Sequence, residues 1–207
     1  MFQDAFVKLD REESRKLLDE INPVLTDTEF DGDTVTILGH KLPFYPGYRF
    51  LEVVDYESVP NRKRYIVHKP GDVVVLDWSN GPVYALNDRV PVKLDESTIA
   101  DYVRFFFRYV RGPKGRFILA EIVDDIRWRD EPPSAARKAV SKMITPLHIA
   151  PDENSDEKAK GFDIAACMTF GDSLYKAHIK VSSSGDVSLS DQELLIEDMP
   201  LLDDVLE

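Results

Sequence analysis

The segment "FDIAACMTFGDSLYKAHIKVSSSGDVSL", Phe162 to Leu189, constrains this chain more tightly than any other. Gly171-Asp172 separates two β-rich runs. Glycine at the first position of a two-residue loop is what a type II′ hairpin turn prefers, because that position needs positive φ. The pairing then follows by arithmetic. Phe162 faces Val181, Ile164 faces Ile179, Ala166 faces Ala177 and Met168 faces Tyr175, all apolar. On the other side Asp163 faces Lys180, Ala165 faces His178 and Cys167 faces Lys176, which is mostly polar. The turn at Ser183 to Gly185 fits a three-residue loop with a left-handed glycine. It sets Val187 opposite Val181 and Leu189 opposite Ile179, on the same apolar face. A slip of one residue would turn every one of these side chains over. The sequence therefore predicts a three-stranded antiparallel meander with one greasy face.

Such a face needs a cover, and "TIADYVRFFFRYVRG", Thr98 to Gly112, is the candidate. On a helix of 3.6 residues per turn, Ile99, Tyr102, Val103, Phe105, Phe106, Phe107, Tyr109 and Val110 take more than half the circumference. Asp101, Arg104, Arg108 and Arg111 share a narrow polar strip. A surface helix would show a narrower apolar sector. The expected fold is α+β: an antiparallel or mixed curved sheet wrapped on a long central aromatic helix, cone-like, with a β-rich N-terminal half. In architecture alone this resembles cystatin-like and nuclear-transport-factor-like cones. No motif carries residues over from either, and such folds host many functions.

Elsewhere the signals are local. Residues 10–22 read as a helix, with Asp10 as cap, Glu13 completing a capping box, and Leu17, Leu18 and Ile21 as its apolar stripe. "TVTIL", "YRFLEVV", "RYIVH", "VVVLDW" and "VYAL" read as strands. Asn80-Gly81 between the last two reads as a hairpin turn. Val73 to Leu76 does not alternate, as in a strand buried on both faces. "RFILAEIV" (Arg116 to Val123) is expected as a strand, Pro133 to Ile144 as a helix, and the charged stretch Ala150 to Gly161 as a mobile loop. The expected organisation is one α+β domain over residues 1–200. A subdivision would separate an N-terminal helix and hairpins (1–60) from the main sheet and helix (61–200). An acidic tail, 197–207, follows.

Composition limits the partners. With 26 basic and 38 acidic residues the net charge is −12. Duplex nucleic acid is bound through phosphate neutralisation and anionic membranes attract basic segments, so both are disfavoured. The single cysteine, Cys167, allows no internal disulfide and suits a reducing compartment. The opening "MFQDAFVKLDREESRK" has no apolar core of the secretory type, and no run reaches the about 18–20 apolar residues of a membrane span. These features point to a soluble cytoplasmic protein, with a homodimer through an unpaired strand edge as a further expectation.

No established catalytic motif is present: no G-x-S-x-G, no H-E-x-x-H and no dinucleotide fingerprint. "RGPKGR" (Arg111 to Arg116) follows a helix, at the wrong dipole end for a phosphate cradle, and reads as a helix stop. His40, His68, His148 and His178 have no local zinc spacing, so no metal or cofactor is expected from the pattern. The candidate acids and bases are Glu121, Tyr102 and His178. Glu121 alternates away from Ala120 and Ile122; placed beside Tyr102 or Tyr109 its pKa would rise by desolvation. Arg104, Arg108 and Arg111, at i, i+4 and i+7, are the candidate anion or ligand stripe, although positive charge at a helix C-terminus is explained by the macrodipole alone. The leading functional expectation is a non-catalytic binding or protein-interaction module, with the acidic, leucine-bearing tail offered to a partner. The alternative is a small hydrolase or isomerase with a pocket between the central helix and the sheet. Nucleic-acid binding through the three arginines with Lys114 and Arg116 ranks last because of the net charge.

Overall fold

The computed structural model describes residues 6–112, 115–152 and 160–202. It contains two antiparallel sheets and, among the described residues, four α-helices, in two compact units, Met1–Lys93 and Leu94–Glu207.

The first unit is a meander in the order β1-β2-β3-β4-β5: β1 (Val7–Lys8), β2 (Val35–Lys41), β3 (Arg49–Asp55), β4 (Arg62–Lys69) and β5 (Asp72–Leu76). Helix α1 (Arg11–Ile21) begins where Asp10 Oδ1 accepts the Glu13 N–H at 2.8 Å. The Glu13 carboxylate does not close the capping box. It accepts a hydrogen bond from Arg49 on β3 at 2.6 Å, exchanging a local contact for a tertiary one. The α1 stripe of Leu17, Leu18 and Ile21 is buried in one cluster with Ile37, Leu51, Val53 and Ile66, which the register places on one sheet face. Glu20 ties the helix end to the β4–β5 turn. Its carboxylate accepts the Gly71 N–H at 3.0 Å and lies 3.2 Å from His68 Nε2, and these contacts lower its pKa.

Two expectations fail in this unit. Val73 to Leu76 is not a strand buried on both faces. It is the edge strand β5, half-buried except at Leu76, while β3 in the middle of the sheet carries Phe50, Leu51, Val53 and Val54 fully inside. Asn80-Gly81 is not a hairpin turn either. Asn80 has φ −77°, Pro82 occupies the first helical turn, and "VYAL" lies in helix α2 (Gly81–Arg89). Proline with pre-set φ suits a helix start. Four apolar residues are too few to tell a strand from a helix. The left-handed residue here is Trp78, φ +70°, its ring edge-on to Tyr65 at 5.2 Å.

The second unit contains α3 (Ile99–Tyr109) and a sheet ordered β10-β9-β8-β6, with β7 also paired to β8. Its strands are β6 (Ile118–Leu119), β7 (His148–Pro151), β8 (Phe162–Phe170), β9 (Ser173–Val181) and β10 (Val187–Ile196). Every cross-strand pair expected for β8 and β9 is present, and Gly171 has φ +58°. Gly185 has φ +86° and sets Val187 opposite Val181 and Leu189 opposite Ile179. Ile164, Ala166, Met168, Ala177, Ile179 and Val181 are all buried. Beyond Leu189, β10 departs from the arithmetic, with bulges between Leu189 and Asp191 and between Leu194 and Ile196. In α3, Ile99, Tyr102, Val103, Phe105, Phe106, Phe107 and Tyr109 are buried.

The opposite sheet face is divided. Asp163, Ala165, His178 and Lys180 are partly exposed, as expected of a polar side. Cys167 and Leu174 instead join a core with Ala120, Ile126, Val140, Ile144, Met199 and Leu201. Helix α4 (Ser134–Ser141) supplies Val140. Two further expectations are corrected here. Of "RFILAEIV" only Ile118–Leu119 is strand; Asp125 Oδ2 accepts the N–H groups of both Glu121 and Ile122 at 2.9 Å and bends the chain into a 3-10 turn, Val123–Asp125. The described part of the acidic tail is not a free arm. Met199 and Leu201 are buried, Arg129 N–H donates to the Pro200 carbonyl at 2.8 Å, and Leu202 N–H donates to the Arg127 carbonyl at 2.9 Å. At the expected loop, Ala150 and Pro151 belong to β7 and Asp152 N–H donates to the Gly161 carbonyl at 2.9 Å; residues 153–159 lie outside the described residues.

Candidate functional site

Helix geometry separates the groups proposed on α3. Tyr102 and Arg104 are two residues apart, so they point about 200° apart around the axis. Tyr102 is fully buried and its hydroxyl donates to the Gly185 carbonyl at 2.6 Å, across the β9–β10 turn. Arg104 lies on the polar strip and meets Glu121 in a bidentate pair, Nε to Oε1 at 2.7 Å and Nη2 to Oε2 at 2.8 Å. Its Nη1 also reaches Asp101 Oδ1 at 3.2 Å.

This arrangement decides the protonation of Glu121. The Arg104 hydrogen bonds hold its carboxyl below the usual carboxylate range, against desolvation, which pushes upward. The net direction is opposite to the rise expected for a carboxyl buried beside a tyrosine. Arg104 is shifted upward by the same pair. Glu121 is thus an ionised acceptor with both oxygens engaged, the arrangement of a structural ion pair more than of a proton donor.

His178 stands on the polar side of β9 with Nδ1 2.9 Å from Asp163 Oδ1. The three candidate acids and bases therefore sit in three different pairings: Tyr102 with Gly185, Glu121 with Arg104, and His178 with Asp163. Of the candidate anion stripe, Arg104 is committed to carboxylates, and Arg108 is exposed with its guanidinium 5.9 Å from the Tyr109 ring. Arg111 follows the helix end and is half-buried, while Lys114 lies outside the described residues. An anion on this strip would compete with Glu121 and Asp101 for Arg104.

Cys167 is buried, with Sγ 3.6 Å from the Met143 carbonyl and 3.8 Å from Thr145 Oγ1. It is a packing residue of the second core. In the first unit, an open groove of about 660 Å³ lies beside α1, lined by Arg15, Asp19, Asn22, Glu29, Phe30 and Asp31 among others. Asn22 holds its floor by exchanging hydrogen bonds with the Phe30 backbone at 2.9 and 3.1 Å. Among the described residues no three metal-ligating side chains converge.

A feature without a sequence signature is the β3–β4 loop. Asp55, almost wholly buried, accepts from Arg62 at 2.6 Å and from the Glu57 N–H at 3.0 Å. Ser58 Oγ donates to the Asp55 carbonyl at 3.0 Å and accepts the Arg62 N–H at 2.8 Å. The loop so braced holds Tyr56 57% and Val59 97% exposed. Turn residues such as Pro60 and Asn61 mark a loop in the sequence, but only the folded contacts determine which side chains it displays.

No protein-family model, no curated protein and no solved structure matches the chain significantly.

Proposed function

We propose that this chain is a non-catalytic protein-interaction module, and that the braced β3–β4 loop is its contact element. The observation that carries this reading is the exposure of Tyr56 and Val59 on a loop anchored by buried Asp55. A pre-ordered loop loses less conformational entropy on binding. Exposed apolar side chains on such a loop fit a concave apolar pocket on a folded partner. The engagement of Glu121 by Arg104 and of Tyr102 by Gly185 supports a structural role for both over the hydrolase or isomerase alternative. We also infer that α3 is the central core element of its unit, with the sheet curving round it as a cone. The burial of seven of its side chains and the Tyr102 to Gly185 bond support that arrangement. A cytoplasmic location and a homodimer belong to the same reading; no helix among the described residues is long and apolar enough to cross a membrane.

The test is paired capture with wild type and a Tyr56→Ser, Val59→Ser variant, followed by reconstitution with the purified partner. The expected result is a one-to-one complex that weakens at least tenfold in the variant. Equal affinity for both proteins would refute the loop as contact element. Substrate turnover lost specifically in Glu121→Gln would refute the non-catalytic reading itself.

A further inference from the structure

Antiparallel register sets four residues side by side across the second sheet: His148 on β7, Ala165 on β8, His178 on β9 and Asp191 on β10. Directly paired residues share a face, so both imidazoles stand on the same side, with only an alanine methyl between them. His148 is exposed and the His178 side chain is 44% exposed. Two strand spacings put their Cα atoms about 10 Å apart. His178 Nδ1 is bonded at 2.9 Å to Asp163 on the middle strand β8, one side-chain row along from Ala165, which leaves Nε2 as the outer ring nitrogen.

We propose that His148 and His178 form a surface site for a divalent transition metal such as zinc, with Asp163 as the orienting carboxylate. The Nδ1 contact with the Asp163 carboxyl occupies one ring nitrogen and leaves Nε2 for the metal. This is the carboxylate–histidine arrangement that fixes tautomer and ring direction at metal centres. Imidazole suits zinc, copper and nickel, and with Zn–N bonds of about 2.0–2.1 Å two rings on Cα atoms about 10 Å apart can reach one ion between them. Asp191 and Asp163 offset the positive charge of Lys176 and Lys180 on the same face. With two protein ligands, bound water completes the coordination, and the site is an open one. Cys167, the sole thiol, is buried and does not compete. The inference is independent of the loop proposed above as contact element, which lies in the other unit.

The experiment is a zinc titration by calorimetry of tag-free, chelator-stripped full-length protein, with histidine C2–H resonances followed in parallel by NMR. One saturable equivalent is expected. It is lost in His148→Ala and in His178→Ala, weakened 10–100-fold in Asp163→Asn, and unchanged in His40→Gln. The His148 and His178 resonances shift together on titration while those of His68 do not. Absence of saturable binding to wild type, or wild-type affinity in His178→Ala with unchanged circular dichroism, overturns the site. If a variant misfolds, the wild-type resonances decide: zinc that leaves His148 and His178 unmoved is equally fatal.

Discussion

Removing the charge of Glu121, while keeping its shape, tests whether its pair with Arg104 is structural. Three variants make the cycle: Glu121→Gln, Arg104→Met and the two combined. The side chains are 24% and 27% exposed, so solvent screens the pair only in part. Exposed ion pairs are worth about 0.2–1 kcal/mol, and breaking a buried one costs about 3–5 kcal/mol. This bidentate pair falls between those limits, so each single substitution should cost about 1–3 kcal/mol. The double variant should cost little more than one single, because it leaves no charge without its counter-charge, giving a coupling of about 1–2 kcal/mol. The pH dependence has a definite sign. The folded state lowers the Glu121 pKa, so the unfolded chain binds more protons in acid. The stabilisation is fully present above the unfolded value of about 4.3 and disappears as pH falls through the lower folded value. Urea denaturation followed by circular dichroism, from about pH 7 into that acid window, measures both quantities. A coupling near zero at neutral pH, or an acid limb unchanged by Glu121→Gln, would refute the structural assignment.

Two further outcomes follow from buried contacts. Tyr102→Phe leaves the Gly185 carbonyl without its donor inside the protein and should cost about 1–3 kcal/mol in the same assay; an unchanged midpoint would show that the bond contributes nothing. Leu201→Ala should cost about 2–4 kcal/mol, because Leu201 and Met199 complete the core around Cys167 and Leu174. Wild-type stability after removal of residues 197–207 would contradict the placement of that segment in the core.

The β8–β9 register was legible in advance because hairpin turns are chosen by adjacent residues and strand alternation has a period of two. Gly171 and Gly185 take the positive φ that their turns require, and each apolar pair follows. Where two local rules compete, adjacent residues do not decide the outcome. At Asn80-Gly81-Pro82, hairpin chemistry and a helix start were both available, and the helix formed. After Leu119 the apolar run points to a longer strand, but the Asp125 carboxylate captures the amides of Glu121 and Ile122. No hydropathy pattern records a capture of that kind.

The candidate site divides along the same line. The residue types and their helical spacing put Arg104 on a polar strip and Tyr102 in the apolar sector from sequence alone, since one turn of helix is enough to separate them. Their partners were decided only by tertiary structure. Arg104 meets Glu121 across 17 positions and Tyr102 meets Gly185 across 83. Likewise, period-two alternation marks Cys167 as pointing away from Ile164, but water or core on that side depends on where Met199 and Leu201 return. Turns and periodicity are short-range interactions, written within a few residues. Desolvation and charge pairing depend on which distant segments arrive, and only the folded chain determines that.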